Sequence, residues 1–181
     1  MPKTIVKLGG ILFAIAFCVA LLLALANHLT QAKIAENARL AADNARQEAL
    51  PAASEFTEIS EGIYQGSANG ETVGWCVTEK PLGFGGEITM TVGISKDGTV
   101  EGVQILSHSE TPGLGANSTT EWKDQYIGKH EGVSVNKVAP SGNEIMAITG
   151  ATVTSRAVTQ GVNDAFALLH EQGLLEGGET K

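Results

Sequence analysis

The sequence has 181 residues, of which 43% are apolar, and its formal net charge at pH 7 is −8. The length fits one domain of ordinary size with an appendage, and the acidic balance excludes a nucleic-acid-binding protein. The two cysteines, Cys18 and Cys76, form no Cys-x-x-Cys or Cys/His motif, so neither a zinc site nor an iron–sulfur cluster is predicted.

The first predicted element is a membrane-spanning helix over residues 8–29. Residues 8–26 carry no charged side chain and consist mainly of Leu, Ile, Ala, Val and Phe. A helix over residues 8–29 would be about 33 Å long, which is enough to cross a bilayer. A cleaved signal peptide is the alternative, because residues 24–26 (Ala-Leu-Ala) match a small-x-small cleavage pattern. The apolar run is longer than the core of a usual signal peptide, so the sequence favours an uncleaved anchor.

Residues 1–7 form a short basic tail before this span. Two lysines lie in the tail, whereas Lys33, Arg39 and Arg46 follow the span. Cationic residues near a span bias that side toward the cytoplasm, and acidic residues contribute little. The tail lysines indicate a cytoplasmic amino terminus and a main domain on the extracytoplasmic side, although the later cations oppose this orientation.

Residues 30–50 predict a stalk helix that continues from the span. The segment is rich in Ala, contains no Gly or Pro, and is followed by Pro51, before which a helix is expected to end. Its apolar face consists mainly of alanines, which gain little from burial. Two alternatives stay open for it: a solvated connecting helix, or a helix that lies against a partner or a domain surface.

The main domain is predicted over residues 55–172, with an α+β fold. Asn69 and Gly70 lie between two runs typical of strands, which is a strong signal for a β-hairpin. Asp97 and Gly98 separate two further runs. Four such runs in series predict an antiparallel sheet, and residues 81–86 predict a flexible loop in the middle of the series. The runs cover residues 63–67, 72–79, 88–94 and 100–106.

Residues 108–115 form a loop that combines Pro and two Gly with polar side chains. Such a loop after a strand is usually only a turn. Its length and mixed chemistry would also let backbone amides face a flat ligand. His108 at its start is interpreted as a surface or hydrogen-bonded histidine without a role in proton transfer.

A short helix and two short strands are predicted between this loop and the last helix. Asn117 and Ser118 are expected to cap the helix, which runs to about Tyr126. Trp122 and Tyr126 are four residues apart and would share its buried face. The strands are predicted as a hairpin and cover residues 133–138 and 144–148.

The most informative segment is residues 148–155 (Ile-Thr-Gly-Ala-Thr-Val-Thr-Ser), which opens the last helix. Gly150 and Ala151 would let the backbone approach a ligand closely. The helix start offers unpaired N–H groups and the positive end of the helix dipole, which favour an anion. Hydroxyl side chains follow at Thr152, Thr154 and Ser155. These features predict a phosphate site with a nucleophilic hydroxyl, while a Thr cap and a Gly-Ala turn are the simpler alternative.

The rest of the last helix carries one apolar stripe at spacings of three and four residues, which predicts packing on a core. The stripe consists of Val158, Val162, Ala165, Phe166 and Leu169. Residues 173–181 are predicted to form a flexible tail, because residues 176–181 are only Gly, Glu, Thr and Lys.

Two of these segments resemble signatures of the FMN-binding domain family. Residues 149–154 (Thr-Gly-Ala-Thr-Val-Thr) resemble its S/T-G-A-T-x-T/S signature, and residues 110–115 (Glu-Thr-Pro-Gly-Leu-Gly) match its E-T-P-G-L-G loop. The resemblance covers roughly residues 55–172. It implies that FMN is joined through its phosphate, as a phosphoester, to Thr154, and that the loop lies against the isoalloxazine ring.

The resemblance implies a set of cofactor-binding residues and neither a catalytic residue nor a metal ligand. Around the phosphate the set comprises Thr154, Thr152, Gly150, Ala151 and Ser155. Around the ring it comprises Thr111, Leu114 and Gly115, with Glu110 nearby. Lys137 would approach the flavin or its phosphate, or else it is a solvated lysine of a strand.

The order of anchor, stalk and domain resembles the G subunit of the Rnf electron-transport complex, an ion-translocating membrane assembly that links ferredoxin and NAD. This implies a flavoprotein in the inner or cytoplasmic membrane that relays electrons between neighbouring subunits, with no catalytic activity of its own. A separate flavin transferase would attach FMN from FAD. Three alternatives stay open: the longer C subunit of the sodium-pumping NADH:quinone reductase, an FMN-binding sensor or regulatory module, and a non-flavin binding module.

Overall fold

A computed structural model describes residues 2–175, and the chain divides into two compact units, Met1–Leu40 and Ala41–Lys181. The first unit is the apolar part of one long helix, α1 (Pro2–Ala49). The helix includes the predicted basic tail from residue 2 as well as residues 8–29 and 30–49. It is long and apolar enough to cross a membrane, and its most apolar stretch is not buried. It ends at Ala49, because the residue before a proline is restricted to extended backbone.

The second unit is built on a five-stranded antiparallel sheet whose strands lie side by side in chain order. The strands are β1 (Glu55–Ser60), β2 (Ile63–Ala68), β3 (Glu71–Glu79), β4 (Thr89–Ser95) and β5 (Val100–Ser107). Asn69 and Gly70 between β2 and β3 both have positive φ, as a two-residue hairpin turn requires. The predicted antiparallel sheet is confirmed, and β1 is an additional edge strand with mostly exposed residues.

Helix α2 (Thr152–Glu171) covers one face of this sheet and contacts β3 and β4. The whole predicted apolar stripe is buried, and it packs with side chains of the sheet such as Val77 and Val92 in the main core. Residues 173–175 fold back after the helix: the N–H of Leu174 donates to the carbonyl oxygen of Leu169, and Leu175 is buried. Residues 176–181 of the predicted tail lie outside the described residues.

The last turns of α1, within the unit Ala41–Lys181, lie on the opposite face of the sheet. Gly93 permits this approach, because a Cβ atom there would lie 2.0 Å from the carbonyl oxygen of Ala49. Ala49, Leu50, Ala53 and Cys76 form a second, smaller core at this contact. The final turns of the predicted stalk therefore lie against a domain surface and are not a solvated connecting helix.

Cys76 lies under this part of α1, and its thiol is fully buried. Its Sγ donates a weak hydrogen bond of 3.6 Å to the carbonyl oxygen of Arg46. Burial raises the pKa of the Cys76 thiol to about 12, and the nearby charge of Arg46 only partly opposes this shift. Since the thiolate is the reactive form, the thiol is expected to be inert in the folded protein.

We therefore expect a maleimide at neutral pH to leave Cys76 unmodified in the native protein and to modify it after unfolding in guanidinium chloride. Mass spectrometry of the Cys76 peptide measures both states. Rapid modification of the native protein would contradict the packing of α1 on the sheet.

Two short 3-10 helices replace the single helix predicted after β5. They span Gly115–Thr119 and Glu121–Tyr126. Thr120 has extended backbone between them and caps the second, since its hydroxyl accepts a hydrogen bond from the N–H of Trp122. Asn117 and Ser118 are therefore not the cap. Tyr126 is buried as predicted, and its ring meets that of Trp122 edge to face with 5.6 Å between centroids.

The strands β6 (Ser134–Asn136) and β7 (Glu144–Met146) pair in parallel, so the predicted hairpin is wrong. The Glu144 carboxylate accepts hydrogen bonds from the side-chain amide of Asn136 and from the N–H of Ser141. These bonds tie the end of β6 and the connecting loop to the first residue of β7.

Candidate functional site

Three segments of the domain meet around one cavity at the amino-terminal end of α2. They are the loop after β3, the loop after β5 and the first turn of α2. The cavity has a volume of about 360 Å³, within the range of about 300–1,000 Å³ that is usual for small-molecule sites. It is lined by Phe84, Glu110, Thr111, Leu114, Gly115, Gly150, Ala151, Thr152, Val153 and Thr154.

The amino-terminal end of α2 has no side-chain cap. Gly150 has a φ of +78°, which glycine adopts without strain, and it turns the chain into the helix. The N-cap residue is Ala151, whose methyl group cannot accept a hydrogen bond from the first-turn N–H groups. A Thr cap, the simpler interpretation of this segment, therefore does not hold. The uncapped N–H groups and the helix dipole favour an anion at this end of the cavity.

The hydroxyl of Thr154 is held by a buried carboxylate. Thr154 Oγ1 donates a hydrogen bond of 2.6 Å to Glu110 Oε2, while the N–H of Gly85 donates one of 2.9 Å to Glu110 Oε1. Thr154 is 1% exposed and Glu110 is 5% exposed. Hydrogen bonds to a carboxylate are stronger than those between neutral groups. Glu110 therefore joins all three segments of the site and fixes the orientation of the Thr154 hydroxyl.

Two glycines leave room for this carboxylate. A Cβ atom at Gly115 would lie 2.3 Å from Glu110 Oε2 and 2.6 Å from Thr154 Oγ1. A Cβ atom at Gly83 would lie 2.2 Å from Glu110 Oε1. Because these distances are far inside van der Waals contact, the observed Thr154–Glu110 arrangement requires glycine at both positions.

All but two of the predicted cofactor-binding residues line this cavity. The hydroxyl of Ser155 is fully buried, accepts from the N–H of Ile148 (2.9 Å) and donates to the carbonyl oxygen of Ala151 (3.0 Å). Ser155 therefore fixes the turn before α2. Lys137 is exposed just after β6 and is not a lining residue. The structure thus brings the two distant signatures together, and it leaves Ser155 and Lys137 outside the cavity.

Two lining residues, Phe84 and Val153, are missing from the predicted set. Phe84 is 73% exposed and lies in the loop that was predicted to be flexible. Two hydrogen bonds close that loop, from the N–H of Gly83 to Gly86 O (2.8 Å) and from the N–H of Ile88 to Pro81 O (2.9 Å). The sequence offers only a weak signal, a phenylalanine between glycines, because single exposed apolar residues are common on protein surfaces.

The residues present fit a flat aromatic ligand that carries a phosphate, as FMN does. Among the described residues, no Lys or Arg lines the cavity, so the uncapped end of α2 supplies the favourable potential for the phosphate. Phe84, Leu114 and Val153 give the cavity an apolar edge that is partly open to solvent. An apolar edge of this kind suits the face of a ring system.

Comparison with protein families gives two matches along the chain. A family model described as FMN-binding domain matches residues 83–167, which include every residue that lines the cavity. A second family model, described as RnfG N-terminal region, matches residues 1–48, which include nearly all of α1. The two matches correspond to the long helix and to the part of the domain that carries the site.

Two relatives align over nearly their full lengths. The G subunit of the Na(+)-translocating ferredoxin:NAD(+) oxidoreductase complex of Acetobacterium woodii is 40% identical over 185 aligned positions, which cover 89% of each chain. The G subunit of the ion-translocating oxidoreductase complex of Methanosarcina acetivorans is 33% identical, and the alignment covers 94% of this chain and 97% of the relative.

A solved structure with a similar fold is the C subunit of the Na(+)-translocating NADH-quinone reductase of Parabacteroides distasonis. The TM-score is 0.55 and the sequence identity 20%, with 64% of this chain and 63% of the other covered. This likeness confirms the α+β fold, and the two nearly full-length relatives define the family. The chain therefore belongs to the family of G subunits of ion-translocating oxidoreductase complexes and carries an FMN-binding domain.

Proposed function

We propose that the chain is an FMN-carrying subunit of an ion-translocating ferredoxin:NAD(+) oxidoreductase complex. The observation that carries this proposal is the Thr154–Glu110 pair at the uncapped end of α2, inside a cavity lined by both FMN-domain signatures. The relative from Acetobacterium woodii, which is named for such a complex, supports it over nearly the full chain. The likeness to the NADH-quinone reductase protein concerns the fold alone, so we favour the ferredoxin:NAD(+) complex.

In this proposal FMN is held by a phosphoester to the hydroxyl of Thr154. Thr154 combines three properties that the linkage needs: a hydroxyl, a carboxylate partner at 2.6 Å and a position in the first turn of α2. Thr152 also lines the cavity, but within residues 2–175 its hydroxyl has no hydrogen-bonded carboxylate. The first-turn N–H groups would stabilise the negative charge of the phosphoester.

The loop after β5 would support the ring of FMN, with Thr111, Leu114 and Gly115 beside it and Phe84 at the open edge. When bound, FMN supplies reversible uptake of one or two electrons. The side chains around it orient the ring and exclude water from part of its surface. The covalent tether prevents loss of the cofactor and keeps its effective concentration high. No residue of the cavity has a separate role in substrate turnover in this proposal, so the protein acts as an electron relay.

The membrane arrangement follows from α1. The helix fits a single-pass anchor in a membrane complex. We place the FMN domain on the extracytoplasmic side on the basis of Lys3 and Lys7 before the span, a charge bias that Lys33, Arg39 and Arg46 after the span oppose. Other membrane subunits of the complex would deliver and accept the electrons, and a separate flavin transferase would attach FMN from FAD.

Flavin fluorescence of the denatured protein tests the covalent linkage. The full-length chain, produced in membranes together with a flavin transferase, is expected to give a fluorescent band after denaturing gel electrophoresis, because a phosphoester survives denaturation. The matched control is the same chain produced without the transferase, which should give no band. A protein that is yellow when native and dark on the gel would contradict the covalent linkage, and a protein without any flavin would contradict the function.

A further inference from the structure

We infer that Glu110 is the general base that activates the hydroxyl of Thr154 when FMN is attached. The inference rests on the proposed function, because it takes Thr154 as the acceptor of the phosphoester. In this inference the chain that receives FMN supplies a catalytic group, Glu110, for its own modification.

The two side chains have the geometry of a nucleophile and its base. The distance of 2.6 Å between Thr154 Oγ1 and Glu110 Oε2 lies within the range of about 2.6–3.2 Å for proton transfer between such groups. A neutral threonine hydroxyl is a weak nucleophile, so a neighbouring group has to accept its proton as the new bond forms. Both residues are buried, and the hydroxyl of Thr154 donates its hydrogen bond to the Glu110 carboxylate. The carboxylate is therefore the group placed to accept the proton.

Other groups hold the base in position. Glu110 Oε1 accepts from the N–H of Gly85 (2.9 Å), and the backbone N–H of Glu110 donates to His108 Nδ1 (3.1 Å). These bonds turn Oε2 toward Thr154. Among the ion pairs of residues 2–175, none includes Glu110, so no cation competes with the Thr154 hydroxyl for Oε2.

The proposed step balances with FAD as the donor. Thr154 Oγ1 attacks the phosphorus atom of the FMN half, the Oγ1–P bond forms, and the pyrophosphate P–O bond to the adenylate half breaks, so that AMP leaves. The hydroxyl proton passes to Glu110 Oε2 and then to water, which restores the carboxylate. The uncapped N–H groups of the first turn of α2 face the negative charge that develops on the phosphate.

The test compares the initial rate of FMN attachment among full-length variants purified without flavin and mixed with a flavin transferase and FAD. Glutamine at position 110 keeps the size of the side chain and an oxygen for Gly85, but an amide does not accept the proton. We expect Glu110→Gln to slow attachment by about 10²- to 10⁴-fold, the usual contribution of general acid–base catalysis. The matched control Glu87→Gln, at an exposed residue outside the cavity, should keep the wild-type rate. Equal rates for wild type and Glu110→Gln would overturn the assignment.

One further variant separates a base from a residue that only positions the hydroxyl. Glu110→Asp keeps a carboxylate and should attach FMN faster than Glu110→Gln. An aspartate variant slower than the glutamine variant would contradict a base.

The same attachment assay distinguishes failure of the proposed function from failure of the role assigned to Glu110. If the wild-type chain gained no flavin from the transferase and FAD, the covalent linkage to Thr154 would be wrong. If the wild type and Glu110→Gln gained flavin equally fast, the linkage would stand and only the role of Glu110 would be wrong.

Discussion

Replacing Thr154 with alanine is expected to abolish covalent flavin completely. Alanine has no hydroxyl to form the phosphoester, and no other hydroxyl at this helix end is hydrogen-bonded to Glu110 within residues 2–175. In-gel fluorescence of protein produced with the flavin transferase measures the loss. Because the substitution removes one hydrogen bond and leaves the core between α2 and the sheet intact, the alanine variant should still fold, which circular dichroism can verify.

Two matched variants control this experiment. Thr152→Ala removes the other threonine hydroxyl of the cavity and should leave a fluorescent band, while Thr154→Ser keeps a hydroxyl at the acceptor position and should retain part of the signal. The reverse pattern, with fluorescence in Thr154→Ala and none in Thr152→Ala, would move the attachment site to Thr152.

Replacing Phe166 with alanine is expected to lower the free energy of unfolding of the domain by about 3–5 kcal/mol, as removal of a buried phenylalanine usually does. Phe166 is 1% exposed and lies in the main core between α2 and the sheet. Its removal leaves a cavity under the helix whose first turn carries Thr154. Guanidinium chloride unfolding of the full-length chain in mild detergent, followed by tryptophan fluorescence, measures the change.

Phe84 provides the control for Phe166. The same substitution at this 73% exposed residue should change the free energy of unfolding by less than about 0.5 kcal/mol. It should instead alter the absorption or fluorescence of attached flavin, because Phe84 lines the cavity. Equal destabilisation by the two substitutions would contradict the assignment of Phe166 to the core and Phe84 to the site.

The features that could be predicted from the sequence depend on local patterns. The apolar stripe of α2 follows from the helical repeat, and the β2–β3 hairpin follows from Asn69 and Gly70, which adopt positive φ. The cavity-lining residues of the two signatures came from the resemblance to a known family. These parts do not require knowledge of which distant segments meet.

The features that could not be predicted depend on contacts between distant segments. The hydrogen bond between Thr154 and Glu110 joins residues 44 positions apart, and neither residue type by itself indicates the other. Phe84 belongs to the site only because its loop is held against Glu110 through the N–H of Gly85. Strand β1 lies at the sheet edge with exposed residues, so it lacks the alternation of a half-buried strand.

The buried hydroxyl of Ser155 is another feature that could not be predicted from the sequence. Its position beside Thr154 in the sequence suggests a second phosphate-binding hydroxyl. The helix turns it into the interior, where it bonds to Ile148 and Ala151. Successive residues of a helix point in directions about 100° apart, and at this helix start the step from Thr154 to Ser155 turns the second hydroxyl away from the cavity.

The intact mass of the full-length chain, purified from membranes of cells that contain the flavin transferase, shows whether FMN is bonded to the protein. We expect the mass of the 181 residues plus one FMN less one water, and digestion should place the addition on the peptide with Thr154. A chain at its unmodified mass, or an addition on a peptide without Thr154, would contradict this expectation.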